Sequence, residues 1–223
     1  MRSFLISEDM AELASALVAG RCEIGCDEAG RGCLAGPVVA AAVCLSETVA
    51  RDLVQRYELN DSKQLTKQKR EALRQEVEAR ADAWAVSFVS PAEIDSINIL
   101  QASFLGMRRA AKALLAGGLP AEHLLIDGNR FRTESGLPPH TCLVKGDARF
   151  ASIAAASVLA KTHRDNFMEN LSQLHPEYGW QTNAGYPTAA HRAAIATNGL
   201  TPHHRLSFQQ LPRQGKLFST TEP

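Results

Sequence analysis

Three short apolar runs in this chain each lead into a carboxylate. Cys22-Glu23-Ile24-Gly25-Cys26 runs into Asp27-Glu28, His123-Leu124-Leu125-Ile126 into Asp127, and Thr141-Cys142-Leu143-Val144, through Lys145-Gly146, into Asp147. Runs of this length and composition read as strands, and strand ends of one sheet can converge. An Asp-Gly pair at one strand end is an ordinary turn. Three strand ends carrying acid are hard to explain by turn chemistry, and four clustered acids repel one another unless cations neutralise them. The pattern therefore predicts a sheet whose strand ends meet around metal.

The rest of the chain supplies helices to cover such a sheet. Residues 7–19 read as a short helix closed by Gly20, and 38–45 as a second strand able to pair antiparallel with the first. Residues 60–63 form a loop, and 67–81, polar and of mixed charge, a solvated helix. Residues 84–89 alternate like a strand. Ser90-Pro91-Ala92-Glu93 carries a cap, a first-turn proline and a glutamate placed to reach back, and Asn98 can cap a second helix through 115. Residues 150–174 form a long helix whose small residues allow close packing on a sheet. This order predicts an α/β fold: a mixed sheet of about five strands flanked by helices. From His175 onward glycine, proline and histidine become denser. That shift divides the chain into a catalytic domain over 1–174, a small helical C-terminal subdomain over 175–211 that includes a helix at 188–198, and a tail over 212–223.

Charge does not announce a polyanionic ligand. There are 24 basic and 24 acidic residues, so any nucleic-acid surface must come from segregation of the basic ones. The five cysteines contain no C-x-x-C pair, which argues against zinc and for reduced, mostly buried thiols. Acidic residues near the N-terminus do not suit a secretory signal, and the longest apolar stretch, 37–45, is too short to cross a bilayer. A cytoplasmic monomer with no membrane contact is expected.

Side chains alternate along a strand, so Asp27 and Glu28 cannot share a face of a regular one. The glycines at 25, 30 and 32 are expected to bend the backbone so that Asp27 ends the strand, Glu28 begins the turn, and both reach one ion. All-oxygen donors suit Mg2+ or Mn2+. Two such ions in a carboxylate site suit phosphodiester hydrolysis.

The run from Asp27 to Val38 closely resembles ribonuclease HII, a bacterial type 2 ribonuclease H. The likeness continues through Asn60-Asp61-Ser62-Lys63-Gln64-Leu65, Leu125–Gly128, Lys145-Gly146-Asp147, Ser152–Lys161, Gly185-Tyr186-Pro187-Thr188 with His191, and His204–Phe208. These motifs span most of the chain in family order. The resemblance implies a ribonuclease-H-like sheet and an endonuclease that hydrolyses the RNA strand of RNA–DNA hybrids and cuts at single ribonucleotides in duplex DNA, leaving 5′-phosphate and 3′-hydroxyl ends. It implies Asp27, Glu28, Asp127 and Asp147 as metal-binding and catalytic acids. Gly30, Arg31 and Gly32 would read the ribose 2′-hydroxyl largely through backbone groups, and Tyr186 would stack on the following deoxyribose. The 2′-hydroxyl is what separates RNA from DNA, and glycine lets backbone donors approach closely.

Phosphate contacts are expected from Ser62 and Lys63, with Lys145, Arg149 and Lys161 adding positive potential near the metals. His203, His204 and Arg205 form a further basic cluster, suited to a phosphate contact through Arg205 or to a solvated loop. Lys161, four residues before Asp165, equally suits a helix-surface pair. Many relatives carry lysine before the Gly-Tyr pair, where this chain has Ala184, so a phosphate contact there is not expected. In the tail, Gln214, Leu217 and Phe218 resemble in three letters the short peptide that docks bacterial replication proteins on the sliding clamp, a match short enough to arise by chance. Two rivals stand beside the nuclease reading: a junction resolvase, which also clusters acids, and a hybrid-binding module without chemistry.

Overall fold

In this computed structural model, which describes residues 13–60, 62 and 65–211, the sheet grows outward from β1 (Glu23–Ala29). β1 pairs antiparallel with β2 (Val38–Cys44) and parallel with β4 (His123–Asp127). β3 (Ala83–Val89) and β5 (His140–Leu143) complete the mixed five-stranded order β3-β2-β1-β4-β5. β2 reads Val-Val-Ala-Ala-Ala-Val-Cys and is buried throughout, because helices cover both faces of the sheet. On one face lies α4 (Ile99–Ala116), with Met107 and Ala110 against Ile24 and Cys26. On the other lies α5 (Ala151–Leu174), whose alanines pack on Ala41 and Val43.

α5 comes as close to β1 as a helix can. A Cβ at Gly25 would lie 2.3 Å from the Ser152 carbonyl carbon, so only glycine lets the strand and the first turn of the helix touch backbone to backbone. That contact places the end of β1 beside the middle of α5.

Around this core run α1 (Glu47–Tyr57), α2 (Lys67–Arg80) and α3 (Pro91–Ile97). The expected caps form: Ser90 and Glu93 make a reciprocal capping box, and the Asn98 side chain accepts from the Leu100 and Gln101 amides. α1 is not anticipated from the sequence. The helix expected over 7–19 does not form in its described part: the Ala14 backbone bridges to Phe150, donating to Arg149 O and accepting from the Ala151 amide. Those bonds satisfy an α5 first-turn donor and hold the segment extended. Residues 1–12, Lys63, Gln214, Leu217 and Phe218 lie outside the described residues. The described cysteines are all free thiols, and no helix among the described residues is long and apolar enough to cross a membrane.

After α5 the chain forms two short pieces, a 3-10 turn at Pro176–Tyr178 and α6 (Trp180–Asn183), then α7 (Ala189–Asn198). Trp180 is fully buried and stacks on Tyr178 with ring centres 5.0 Å apart, while Leu34, Met168 and Ile195 close the cluster. Histidines finish it. His191 Nε2 accepts from Trp180 Nε1, and His204 Nδ1 accepts from the Thr201 amide.

Burial, with His191 next in effect, holds the His204 imidazole down at about 4, and burial also lowers His191 and His203. These rings fold neutral. As pH falls below the ordinary histidine value of about 6.5 the unfolded chain takes up protons that the fold refuses, so stability falls until pH reaches the folded value. Thermal melts from pH 7 to pH 4 are expected to lose up to roughly 3 kcal/mol through His204. His204→Asn should flatten the profile, and an unchanged profile in that variant would refute the assignment.

Candidate active site

Two neighbouring parallel strands set the first pair of acids. In the β1–β4 register Cys26 lies beside Ile126, so Asp27 and Asp127 emerge next to each other at the same end of the sheet. Asp147 arrives from the following crossover. β5 pairs Leu143 with Asp127, Lys145 turns the chain in a left-handed conformation (φ 54°), and a 3-10 turn over Gly146–Ala148 carries Asp147 back. The Gly146 amide donates to Asp127 Oδ1 at 2.8 Å, which pins that turn to β4. One carboxylate oxygen from each of Asp27, Asp127 and Asp147 lies within 4.8 Å of the others. Asp27 and Asp147 are buried, and Asp127 is half-buried.

Glu28 does not join this trio. β1 stays regular through Ala29, with Glu28 opposite Ala40, so the bend expected at the glycines does not occur within the pair. Alternation then turns Glu28 away from Asp27. Its carboxylate meets Arg31 Nη1 at 3.1 Å and still lines the same pocket.

Asp27 bears the electrostatic cost of this setting. Burial first, then the Glu28 and Asp127 charges, push the Asp27 carboxyl well above its ordinary value. Hydrogen bonds from the Ser157 side chain and the Glu28 amide oppose the shift, the latter at 2.7 Å. Three oxygen donors in this strained setting fit a hard divalent ion. Nitrogen or sulfur donors are absent from the trio.

The same pocket is lined by Gly30, Arg31, Gly32, Ser62, Lys161 and Tyr186. Arg31 and Gly32 are exposed, and Tyr186 is partly so. Lys161 Nζ lies 5.7 Å from the Tyr186 ring centre and pairs with Asp165 at 2.7 Å, the helix-surface pair its spacing allows. Ser62 is buried, with its hydroxyl 2.9 Å from that of Ser157, so it forms the wall behind Asp27. Lys145 is exposed beside the Asp147 turn. Arg205 is not at the surface: it is fully buried, and its guanidinium donates to the carbonyls of Gly30, Arg31 and Gly36. A phosphate contact through it is therefore corrected to an internal role.

Sequence reasoning gave no role to Ser157 or Arg164. Ser157 was legible only as one small residue in an alanine-rich helix, and a helical arginine reads as solvated.

Residues 24–211 match the family described as Ribonuclease HII. A ribonuclease HII of Parabacteroides distasonis is 56% identical over 195 residues, covering 87% of this chain and 94% of the relative. The chain belongs to the ribonuclease HII family. It is thus a type 2 ribonuclease H, a hydrolase acting as an endonuclease on RNA in RNA–DNA hybrids, and both the resolvase rival and the non-catalytic rival fall away. Solved structures agree on the ribonuclease-H-like fold. The ribonuclease H2 of Pyrococcus horikoshii matches with a TM-score of 0.69 at 26% identity, covering 84% of this chain and 94% of that one. The RNase HII of Archaeoglobus fulgidus, solved in complex with PCNA, matches with a TM-score of 0.67 at 26% identity, covering 88% and 98%.

Proposed function

We propose that this ribonuclease HII cuts at single ribonucleotides embedded in duplex DNA as well as in longer hybrids, using two divalent ions, Mg2+ or Mn2+, and leaving 5′-phosphate and 3′-hydroxyl ends. The observation that carries this reading is a pocket that Asp27, Glu28 and Asp127 share with the Gly30-Arg31-Gly32 turn, Asp147 meeting Asp27 and Asp127 in the carboxylate trio. Asp27, Asp127 and Asp147 would hold the ions, with Glu28 at the pocket wall as a further acid. When bound, such ions supply water activation and neutralise charge on the attacking and leaving oxygens.

The chain's own residues do the rest. Backbone donors of the turn bind the 2′-hydroxyl, which a deoxyribose lacks. Tyr186, with cations near its ring, packs on the next sugar and excludes water from one side. Arg31 holds Glu28 in place and offers a charge to the adjacent phosphate. Lys145 and, outside the described residues, Lys63 add phosphate contacts. Residues 175–211 act as the part that carries Tyr186 against the turn. The Archaeoglobus fulgidus complex with PCNA supports a clamp contact in general, for which Gln214, Leu217 and Phe218 are the candidate residues in this chain.

The test is a duplex with one ribonucleotide beside its all-DNA twin, each with Mg2+, Mn2+ or EDTA. Cleavage at the ribonucleotide is expected with either ion, with at least about 1000-fold less in EDTA or on the all-DNA strand. Equal cleavage of the two duplexes would refute the ribose reading, and undiminished cleavage in EDTA would refute the metal reading.

A further inference from the structure

Arg164 and Arg205 are fully buried, and among the described residues neither meets a carboxylate at ion-pair distance. A buried cation is costly unless its donors are satisfied. Here backbone carbonyls satisfy both. Arg164 donates to Pro37 O at 3.0 Å, Ala184 O at 2.9 Å and Ala35 O at 3.1 Å. Arg205 donates to Gly36 O at 3.0 Å, Arg31 O at 2.9 Å and Gly30 O at 2.7 Å.

The second set has a geometric consequence. In a planar trans peptide the carbonyl and the N–H point in opposite directions, and no described peptide bond is cis. With the Gly30 and Arg31 carbonyls drawn inward onto Arg205, the N–H groups of Arg31 and Gly32 face outward. Neither amide donates to another group among the described residues.

Arg164 closes the arrangement from α5. A Cβ at Gly30 (φ 91°) would lie 2.0 Å from Arg164 Nε, so the guanidinium fills the space a side chain would need. Its bond to Ala184 O ties the segment leading into Tyr186 to the same anchor, and its Cζ lies 5.8 Å from the Tyr186 ring centre. The loop bearing Arg205 is itself clamped: Asp95 accepts from the Leu206 amide at 2.8 Å, the Ser207 amide at 2.9 Å and the Ser207 hydroxyl at 2.6 Å.

We propose that Arg205, backed by Arg164, is a positioning residue that aims the Arg31 and Gly32 amides at the substrate 2′-hydroxyl, so that an interior guanidinium sets the preference for ribose over deoxyribose. This rests on the reading of the turn as the ribose sensor. Lysine keeps the charge but gathers its donors on one nitrogen, so it lacks the planar fork whose three nitrogens reach the Gly36, Arg31 and Gly30 carbonyls.

Arg205→Lys is compared with wild type for binding and cleavage of the single-ribonucleotide duplex and for binding of the all-DNA duplex. The expected result is a loss of about 10- to 100-fold in kcat/KM and in ribose preference, the scale set by unpaired buried carbonyls, with all-DNA affinity held within about twofold. A folded variant whose ribose preference is intact overturns the proposal. So does one that weakens both duplexes alike, the signature of a merely structural role. Wild-type enzyme without ribose preference would sink the earlier reading and this one with it, whereas a wild-type preference that survives the substitution sinks this one alone. Should Arg205→Lys fail to fold, NMR on the wild type decides. Slowly exchanging Arg205 guanidinium protons, with Arg31 and Gly32 amide shifts that respond to the ribonucleotide duplex and not to its twin, support the proposal; fast-exchanging guanidinium protons, or equal responses, overturn it.

Discussion

Asp27→Asn is expected to lower kcat on the single-ribonucleotide duplex by at least about 1000-fold, or about 4 kcal/mol of barrier, while making the ion-free protein more stable. Both effects come from the same charge. Asp27 lies buried beside Asp127 and Asp147, and burial with the neighbouring acids already pushes its carboxyl upward. Asparagine keeps the shape, can still accept from the Glu28 amide, and can donate to a neighbouring carboxylate. Removing one buried like charge is expected to raise stability by roughly 1 kcal/mol in EDTA. Added Mg2+ or Mn2+ should raise the wild-type melting temperature, since an ion bound only to the fold stabilises it, and should raise the variant's much less. Wild-type-like turnover by Asp27→Asn would remove the trio from the chemistry. An equal ion-induced shift in both proteins would remove it from ion binding.

Gly25→Val is expected to cost about 4 kcal/mol or more, enough to unfold a marginal domain. Valine is the residue that strand preference would choose here, which makes the substitution a test of packing against propensity. The contact it offends is backbone. A Cβ at this position would stand 2.3 Å from Ser152 C, 2.5 Å from Ile153 N and 2.6 Å from Ser152 O, and none of these atoms can swing away as a side-chain tip would. Relief requires α5 to move off β1, and α5 carries Ser157 behind Asp27 and Arg164 behind Gly30. Loss of activity should therefore accompany loss of stability, and chemical denaturation read by circular dichroism would check the latter. A stability change under about 1 kcal/mol would mean the helix–strand approach is looser than described.

Much of the local structure was legible because its causes are local. The Ser90–Glu93 capping box and the Asn98 cap are satisfied within a few residues, and both formed where expected. The apolar runs before Asp27, Asp127 and Asp147 became strands because each has a face to bury. Less was legible where a residue's partner is remote. The stretch around Ala14 reads as helix, yet Ala14 serves as a bridge to Phe150. Glu28 reads as a partner of Asp27 in one bent turn, yet β1 stays regular through it, and its carboxylate meets Arg31 while its charge still acts on Asp27.

By itself the sequence determined the α/β class, the caps, the three acid-bearing strand ends and the family, since these depend on periodicity, short-range hydrogen bonding and motif identity. Only the tertiary structure decided which acids meet and which arginines turn inward. Arg205 reaches Gly30 across 175 positions of chain. Whether a charge faces water or backbone carbonyls is set by what the whole fold packs around it, because burying it is favourable only once every donor has found an acceptor.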